Sequence, residues 1–474
     1  MRHRLVAMAI AASLAMPGRA LAQQPDSLAL ATFLDEVSRH HPVARQAQLL
    51  EAQAEAVARG ALGAVIDPTL SVRWDRKQFE GSEYFNYLDA ALKVPTPLGV
   101  DVKLGYERTR GRYIGEDRRT PTDGLLSLGI SIPVGQGIIT DRRRAALAEA
   151  RGLTRMAAGE RRAIVNKLLL EATKAWADWR AAEARLALAT EGVEVAQFRL
   201  EGIRARVRAG DAAPIDTVEA ALEVARREAA QAFAEADRIG ARESLAAMRW
   251  AADGAPVDLQ ETTVPGAVLD DEVPAAAQVS AWLAEALRDH PDIAKALGKE
   301  DASVAVRRQA LADLFPDFEV EAARLADYGE TRGLTGFPPA GGAYKFGVAA
   351  STSLLLFKER GKADEAGAKR VSAAFAVADA RRAVAAAART AAAELVAASI
   401  AADRQALAVQ YARRLRDAEE ARFAAGESSL FLVNQRERTL LDEGVKLADA
   451  EAKGVAARAA LAVALGYPAR LPEP

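Results

Sequence analysis

The sequence predicts a mostly α-helical chain with membrane β-strands, built from two copies of one unit in which strands lead into a long helical hairpin. Three observations carry this prediction. One stretch holds a helical seam from Asp141 to Ala209, two zones alternate apolar and polar residues, and the same order of parts occurs twice within 474 residues.

In the long stretch an apolar residue recurs at alternating spacings of three and four. The series is Val165, Leu168, Ala172, Ala175, Trp179, Ala182, Leu186, Ala189, Val193, Ala196, Leu200, Ile203 and Val207. A 3.5-residue period held that far is the seam of a helix facing other helices along its length. At 1.5 Å per residue such a helix spans roughly 100 Å. Thr140 and Asp141 are N-cap types, and Gly210 is the residue expected just past the helix end. Charged residues such as Arg180, Glu183, Arg185, Glu191 and Arg199 occupy the other faces. On this stretch alone a soluble bundle or structural coiled coil is the simpler reading, so the flanking segments decide.

Composition narrows the class. Half of the residues are hydrophobic but only 5% are aromatic, which favours thin, alanine-rich helical layers over a thick core. A net charge of −2 without a basic tail gives no footprint for nucleic acid. The absence of cysteine excludes disulfides, thiolate metal sites and an N-terminal lipidated cysteine. At the N-terminus, Met1–Arg4 is basic, Leu5–Met16 is apolar, and Ala20-Leu21-Ala22 is a cleavage signal, so residues 1–22 read as a signal peptide. No later apolar run of 18 residues is free of charge, so no transmembrane helix is expected, and membrane insertion would have to use strands.

Taken in order, residues 23–67 read as helices broken at His41-Pro42. Residues 68–134 form the first strand zone: Leu70, Val72 and Trp74, then Val100, Val102, Leu104 and Tyr106, then Leu126, Leu128, Ile130 and Ile132 alternate with polar or small residues. Pro95–Gly99 is a turn within it, and Gly111–Gly124 a polar loop. Residues 135–250 form a helical hairpin with its turn at Gly210–Pro214 and its return helix running to about Trp250. Pro214 suits N1, and Asp216 and Glu219 are expected in the first turn, where carboxylates complement the dipole. Residues 251–280 read as a linker.

The second copy then begins. Trp282-Leu-Ala-Glu-Ala-Leu-Arg-Asp-His-Pro291 echoes Phe33-Leu-Asp-Glu-Val-Ser-Arg-His-His-Pro42 in the approach helices of residues 281–314. Phe315–Val320 echoes Asp67–Val72 at the start of the second strand zone, residues 315–357. There Tyr344, Phe346 and Val348 alternate, and Ser353–Phe357 matches Ser131–Gly135 as an exit into a helix. Residues 358–474 carry the second hairpin: helix Lys362–Ala425, turn Gly426–Ser429, helix Leu430–Leu465. A period of about half the chain must be recognised before a fold is assigned.

Fourteen of the 26 aromatic residues lie in the two strand zones, which sets these apart from the helices. Alternating strands with aromatics near their ends suit a membrane β-barrel, with Trp74, Tyr84, Tyr87, Tyr106, Tyr344 and Phe346 as girdle candidates. A bilayer tolerates no open sheet edge, so a few strands per chain can span only if several chains close one barrel. A small sandwich packed on the helices is the alternative for the strands alone.

In combination these parts resemble the outer membrane efflux protein family, the TolC-type channels. The resemblance is carried by the paired His41-Pro42 and His290-Pro291, the strand exits Ser131–Val134 and Ser353–Leu356, and the tip glycines Gly210 and Gly426, over Leu28 to Gly466. It implies a homotrimer whose strands share one outer-membrane β-barrel, continued by a periplasmic α-barrel. It also implies a Gram-negative outer membrane and its lipid as the setting, with a periplasmic adaptor (membrane fusion) protein and an inner-membrane pump as partners. The family usually contributes four strands per chain, and the longer first zone here leaves four or six open. Its periplasmic gate often carries paired acidic residues in the second tip. Those positions are Leu432 and Gln435 in this chain, and the equivalent positions in the first tip are Asp216 and Glu219. That acidic pair is therefore the gate candidate, with helix-dipole complementation as the plainer role. Arg206, Arg208, Gly210, Asp211, Arg422, Gly426 and Glu427 are the candidates for adaptor contact at the two tips.

No catalytic centre, cofactor site or metal site is expected. Beyond the signal peptide the histidines are His40, His41 and His290, all in His-Pro break contexts, and adjacent His40 and His41 point in different directions on a helix. No phosphate loop, nucleophile elbow or HExxH occurs. A periplasmic coiled-coil adaptor or spacer without channel activity is the competing reading. It explains the helices but not the strands placed between them in each copy. The substrate is left open among metal ions, drugs and polypeptides.

Overall fold

A computed structural model describes residues 27–135, 141–267, 272–328 and 342–468. The signal-peptide segment, Thr140 and Phe337 lie outside the described residues.

The chain opens with a two-residue strand, β1 (Ser27–Leu28), and two helices, α1 (Leu30–His40) and α2 (Pro42–Ile66). Four strands follow: β2 (Thr69–Phe79), β3 (Ser82–Pro95), β4 (Asp101–Arg110) and β5 (Leu125–Gly135). The first long hairpin is α3 (Arg142–Ala209) and α4 (Pro214–Ala246), and β6 (Val264–Pro265) then pairs with β1 in parallel. The second unit repeats the order with α5 (Ala276–Asp289), α6 (Pro291–Ala312), β7 (Asp317–Asp327), β8 (Tyr344–Ser351), α7 (Phe357–Ala424) and α8 (Leu430–Ala464).

The helix breaks have a local cause. Proline lacks an N–H and fits the first helical position, so α2 and α6 each begin on Pro42 or Pro291. The preceding histidines act as N-caps, the His41 ring accepting from Val43 N–H and the His290 ring from Asp292 N–H, both at 3.2 Å. Asp141 caps α3 by accepting from Arg143 N–H.

The two 68-residue helices α3 and α7 organise everything else. In the half nearer the sheet, α3 lies between α2 and α6, and α6 packs in turn on α7. In the half nearer the tip, α3 lies between α4 and α8, and α8 packs on α7. All thirteen predicted seam residues are buried or half-buried, so the 3.5-residue period correctly marks the face that meets other helices. Where α3 crosses α6, a Cβ on Gly152 would strike the Ala302 backbone and one on Gly298 the Met156 backbone. Glycine here lets two helical backbones touch.

Between the two tiers α1 closes over α3. Phe33, Leu34 and Val37 pack on Leu168, Leu169, Ala172, Trp176 and Trp179, and the Trp176 indole N–H donates to Leu28 C=O. The second unit builds the same joint from α5, α7 and α8 with Leu283, Ala388, Ala391, Leu395 and Leu461.

Several boundaries differ from expectation. The first zone contains β3 as a separate strand, so the described sheet has six strands. Helix α4 stops at Ala246 instead of near Trp250, because Met248 N–H turns back to Leu245 C=O and Trp250 bridges to Pro256. Glu219 lies in the second turn of α4, and only Asp216 is in the first. Helix α5 begins at Ala276, inside the span read as linker, on a run of helix formers after Pro274. Ser353–Leu356 is not strand, Leu356 adopts φ 54°, and α7 starts at Phe357. Finally, α7 contains an 18-residue window of mean hydropathy 1.4 and is the one described helix long and apolar enough to cross a membrane. Alanine raises hydropathy while carrying little side chain, and only 22% of that window is buried within the chain.

Candidate functional site

The sheet has the order β2-β3-β4-β5-β7-β8, and every neighbouring pair is antiparallel. Because strand side chains alternate, register sorts them onto two faces. One face carries Leu70, Val72 and Trp74 of β2, Leu104 and Tyr106 of β4, Leu128 and Ile130 of β5, and Tyr344, Phe346 and Val348 of β8. The other carries Arg73, Asp89, Lys93, Lys103, Glu107, Glu319 and Glu321, where Lys103 bonds Glu321 at 3.3 Å. Among the described residues nothing covers the apolar face: Leu70 is 69% and Trp74 65% exposed. Water on one side and hydrocarbon on the other is the environment such a sheet fits.

Four girdle candidates, Trp74, Tyr106, Tyr344 and Phe346, fall on the apolar face. Tyr87 does not. It pairs with Asp75 and Thr109 on the opposite face, stacks on Phe85 at 4.7 Å, and lies under the Arg118 guanidinium. Tyr84 sits at the register shift near the β2–β3 turn, packed against Phe79 and Tyr113.

At the far end the two hairpin tips meet. Gly210 takes φ 84° and Gly426 φ 78°, left-handed values that close each helix. The following N–H groups, of Asp211 and Glu427, bond back to Arg206 and Arg422 C=O at 2.9 Å. Arg206 lies over the Phe423 ring at 5.4 Å, so the tips touch across the two units, and Arg422 donates to Glu427 C=O. Arg208 turns back to Arg204 C=O. Asp216 and Glu219, three residues apart on one face of α4, are half-buried.

Just above the tips lies a buried charge network that the sequence reading missed. Arg227 donates to Glu223 at 2.9 Å, to Glu437 at 2.6 Å and to Gly192 C=O at 2.9 Å. Arg199 pairs with Glu437 and reaches Glu420 and Asn434 at 3.4 Å, while Arg438 holds Glu223. Glu223 and Glu437 are each 3% exposed. Burial pushes both carboxyls up, but the arginines facing them prevail and hold both below the ordinary value, Arg438 and Arg227 for Glu223 and Arg199 and Arg227 for Glu437. Arg438 is raised, chiefly by its hydrogen bond to Glu223, with Glu219 adding to the field. The network ties α3, α4, α7 and α8 into one unit. A signal for it existed: Glu223 and Arg227 continue the spacing set by Ala220 and Val224, and Glu437 that of Val433, so charges stand in seam positions.

An open sheet with one bare apolar face, set on two paired helical hairpins, defines the class of molecule. The sequence model of the family described as outer membrane efflux protein matches residues 91–249 and 282–467. The chain belongs to the outer membrane efflux protein family.

Solved structures agree on the fold of this efflux protein. The outer membrane protein VceC of Vibrio cholerae superposes with a TM-score of 0.66 at 18% identity, covering 92% of this chain and 96% of that one. The open-state MtrE outer membrane channel of Neisseria gonorrhoeae gives 0.65 at 17% identity, covering 93% and 89%. A membrane protein of Pseudomonas aeruginosa gives 0.66 at 16% identity, covering 92% and 90%. No curated protein matches the chain by sequence. Among the described residues no His, Asp and Glu cluster could hold a metal ion.

Proposed function

We propose that this efflux protein is the outer-membrane exit duct of a tripartite efflux or type I secretion system in a Gram-negative bacterium. Three copies close one β-barrel in the outer membrane and one α-barrel through the periplasm. Substrate delivered by an inner-membrane pump and its adaptor leaves passively through the lumen.

The carrying observation is that, among the described residues, the chain has unpartnered edges of matching kind at both levels. The sheet ends in two open edge strands, and unpaired backbone groups are not tolerated in hydrocarbon. The helical layer also ends in two apolar edges. On α7, Val396, Ile400, Leu407, Tyr411 and Leu415 form an exposed stripe at spacings of four, seven, four and four. On the opposite edge Leu49, Leu50 and Val57 of α2 and Ile215, Val218 and Leu222 of α4 are exposed. Each edge of one copy is therefore suited to the opposite edge of the next, which is what a closed ring needs.

Within that duct, Asp216 and Glu219 repeated three times form the cation-attracting constriction. Arg206, Arg208, Asp211, Arg422 and Glu427, arrayed around the two tip glycines, meet the adaptor. Trp74, Tyr106, Tyr344 and Phe346 belong to the membrane-facing surface. The test is membrane fractionation with gel analysis. Outer-membrane location with a trimer that resists detergent until boiled supports the reading, whereas a soluble periplasmic monomer contradicts it.

A further inference from the structure

The six strands of this sheet form one continuous wall. Leu70 of β2 lies opposite Leu92 of β3, which lies opposite Leu104 of β4, which lies opposite Leu128 of β5. On the other face the row Ser71, Ala91, Gly105 and Ser127 runs equally straight. The one register shift in these pairings falls between Lys77 and Gln78, close to the β2–β3 turn. The first hairpin therefore shares both the apolar and the polar face with the strands beyond it. Strand direction adds a second constraint. Six antiparallel strands leave β2 and β8 running in opposite senses, so the alternation continues when β8 of one copy meets β2 of another.

We propose that β2 and β3 are part of the membrane wall and that β2 of each copy pairs antiparallel with β8 of the next, closing a barrel of eighteen strands. The proposal rests on the trimer reading above and sets the width of the outlet within it. Barrels of 16–18 strands leave an aqueous channel where small ones are filled by side chains. The lumen of this one is lined by the charged face, with Arg73, Asp89 and Glu107 lying side by side. Such an outlet passes bulky hydrated solutes, and discrimination falls to the helical tip.

The chain has no cysteine, so introduced pairs report without background. Ser71→Cys or Arg73→Cys in β2 is combined with Gly347→Cys or Ala349→Cys in β8. In the control series the β2 position is replaced by Gly105→Cys in β4. Disulfides need Cα atoms within roughly 7 Å, so only strands adjacent across the copy boundary cross-link. The expected result, in outer-membrane trimers, is boiling-resistant, reductant-sensitive oligomers from at least one β2–β8 pair and none from β4–β8. Intact trimers that cross-link β4 to β8, or that give no β2–β8 product, overturn the proposal and leave the trimer standing. Absence of any trimer overturns both.

Discussion

Helices α3 and α7 have the same length, equivalent seams and equivalent tips, yet α3 buries twenty of its residues and α7 nine. With Gly210 and Gly426 superposed, Leu168, Ala172, Ala175 and Trp179 of α3 fall on Val384, Ala388, Ala391 and Leu395 of α7, which are buried or half-buried in both helices. The seam is thus common property of the two units. What differs is the second face. In α3 it also buries Leu169, Trp176, Ala177 and Ala181, whereas at the equivalent places α7 presents Ala385, Ala392, Ala393 and Ala397, none of them buried. One helix is an interior member of the layer and the other is its edge. A duplicated sequence can therefore specify one buried element and one exposed at the layer's edge by changing a single face.

Substitutions on the two helices probe that difference. A charge on the exposed face of the edge helix should have the largest effect on assembly and little on the fold: Ile400→Glu with Leu407→Glu is expected to abolish the detergent-resistant trimer while the helical circular dichroism of the monomer persists. The corresponding interior change, Trp176→Ala, is expected to cost about 3–5 kcal/mol of folding stability, as for other large aromatic truncations, and should appear as a large drop in unfolding midpoint. Loss of stability from the α7 changes equal to that from Trp176→Ala would erase the distinction.

The charge network offers the next lever. Glu437→Ala removes the carboxylate that Arg199 and Arg227 share, leaving Arg199 with Glu420 and Asn434 and Arg227 with Glu223 and Gly192 C=O, so the cost falls below the roughly 3–5 kcal/mol of a buried charge left without any partner. Hydrogen exchange should rise in the tip-proximal parts of α4 and α8 and stay unchanged near α1. The same carboxyls give a pH dependence. Their folded pKa values lie below the ordinary one, so their contribution is present at neutral pH and is lost as pH falls through those depressed values, beneath the ordinary carboxylate value of 4.5. Tip protection measured by hydrogen exchange should hold at pH 6 and fall only in the acid range. The smallest effect is expected at the first helix break: His41→Ala removes the cap of α2 and should cost about 1 kcal/mol, a typical value for an N-cap, read from thermal unfolding.

Much of this was legible in the sequence because the periods of 3.5 and 2 are long-range statements about which face is buried. The α3 seam, the His-Pro breaks and the tip glycines each have a local physical cause, and all lie where the pattern put them. Strand β3 was harder to read because Ser82–Tyr87 is polar and aromatic on both faces, and the β2–β3 turn has no proline to mark it. Tyr87 escaped because face assignment needs register, and the shift at Lys77 moves it relative to β2. The network of Arg199, Glu223, Arg227 and Glu437 joins residues far apart in sequence, and a charge in a seam does not reveal its partner. The edge status of α7 was hidden for another reason: alanine serves equally as close-packing material and as exposed filler.

Conductance reports on the continuous duct itself. Purified trimer in a planar lipid bilayer should give discrete, long-lived current steps, and Asp216→Ala combined with Glu219→Ala should lower the preference for cations. Trimer that inserts yet carries no current, in the original form and in the doubly substituted one, would contradict the duct and leave a helical spacer.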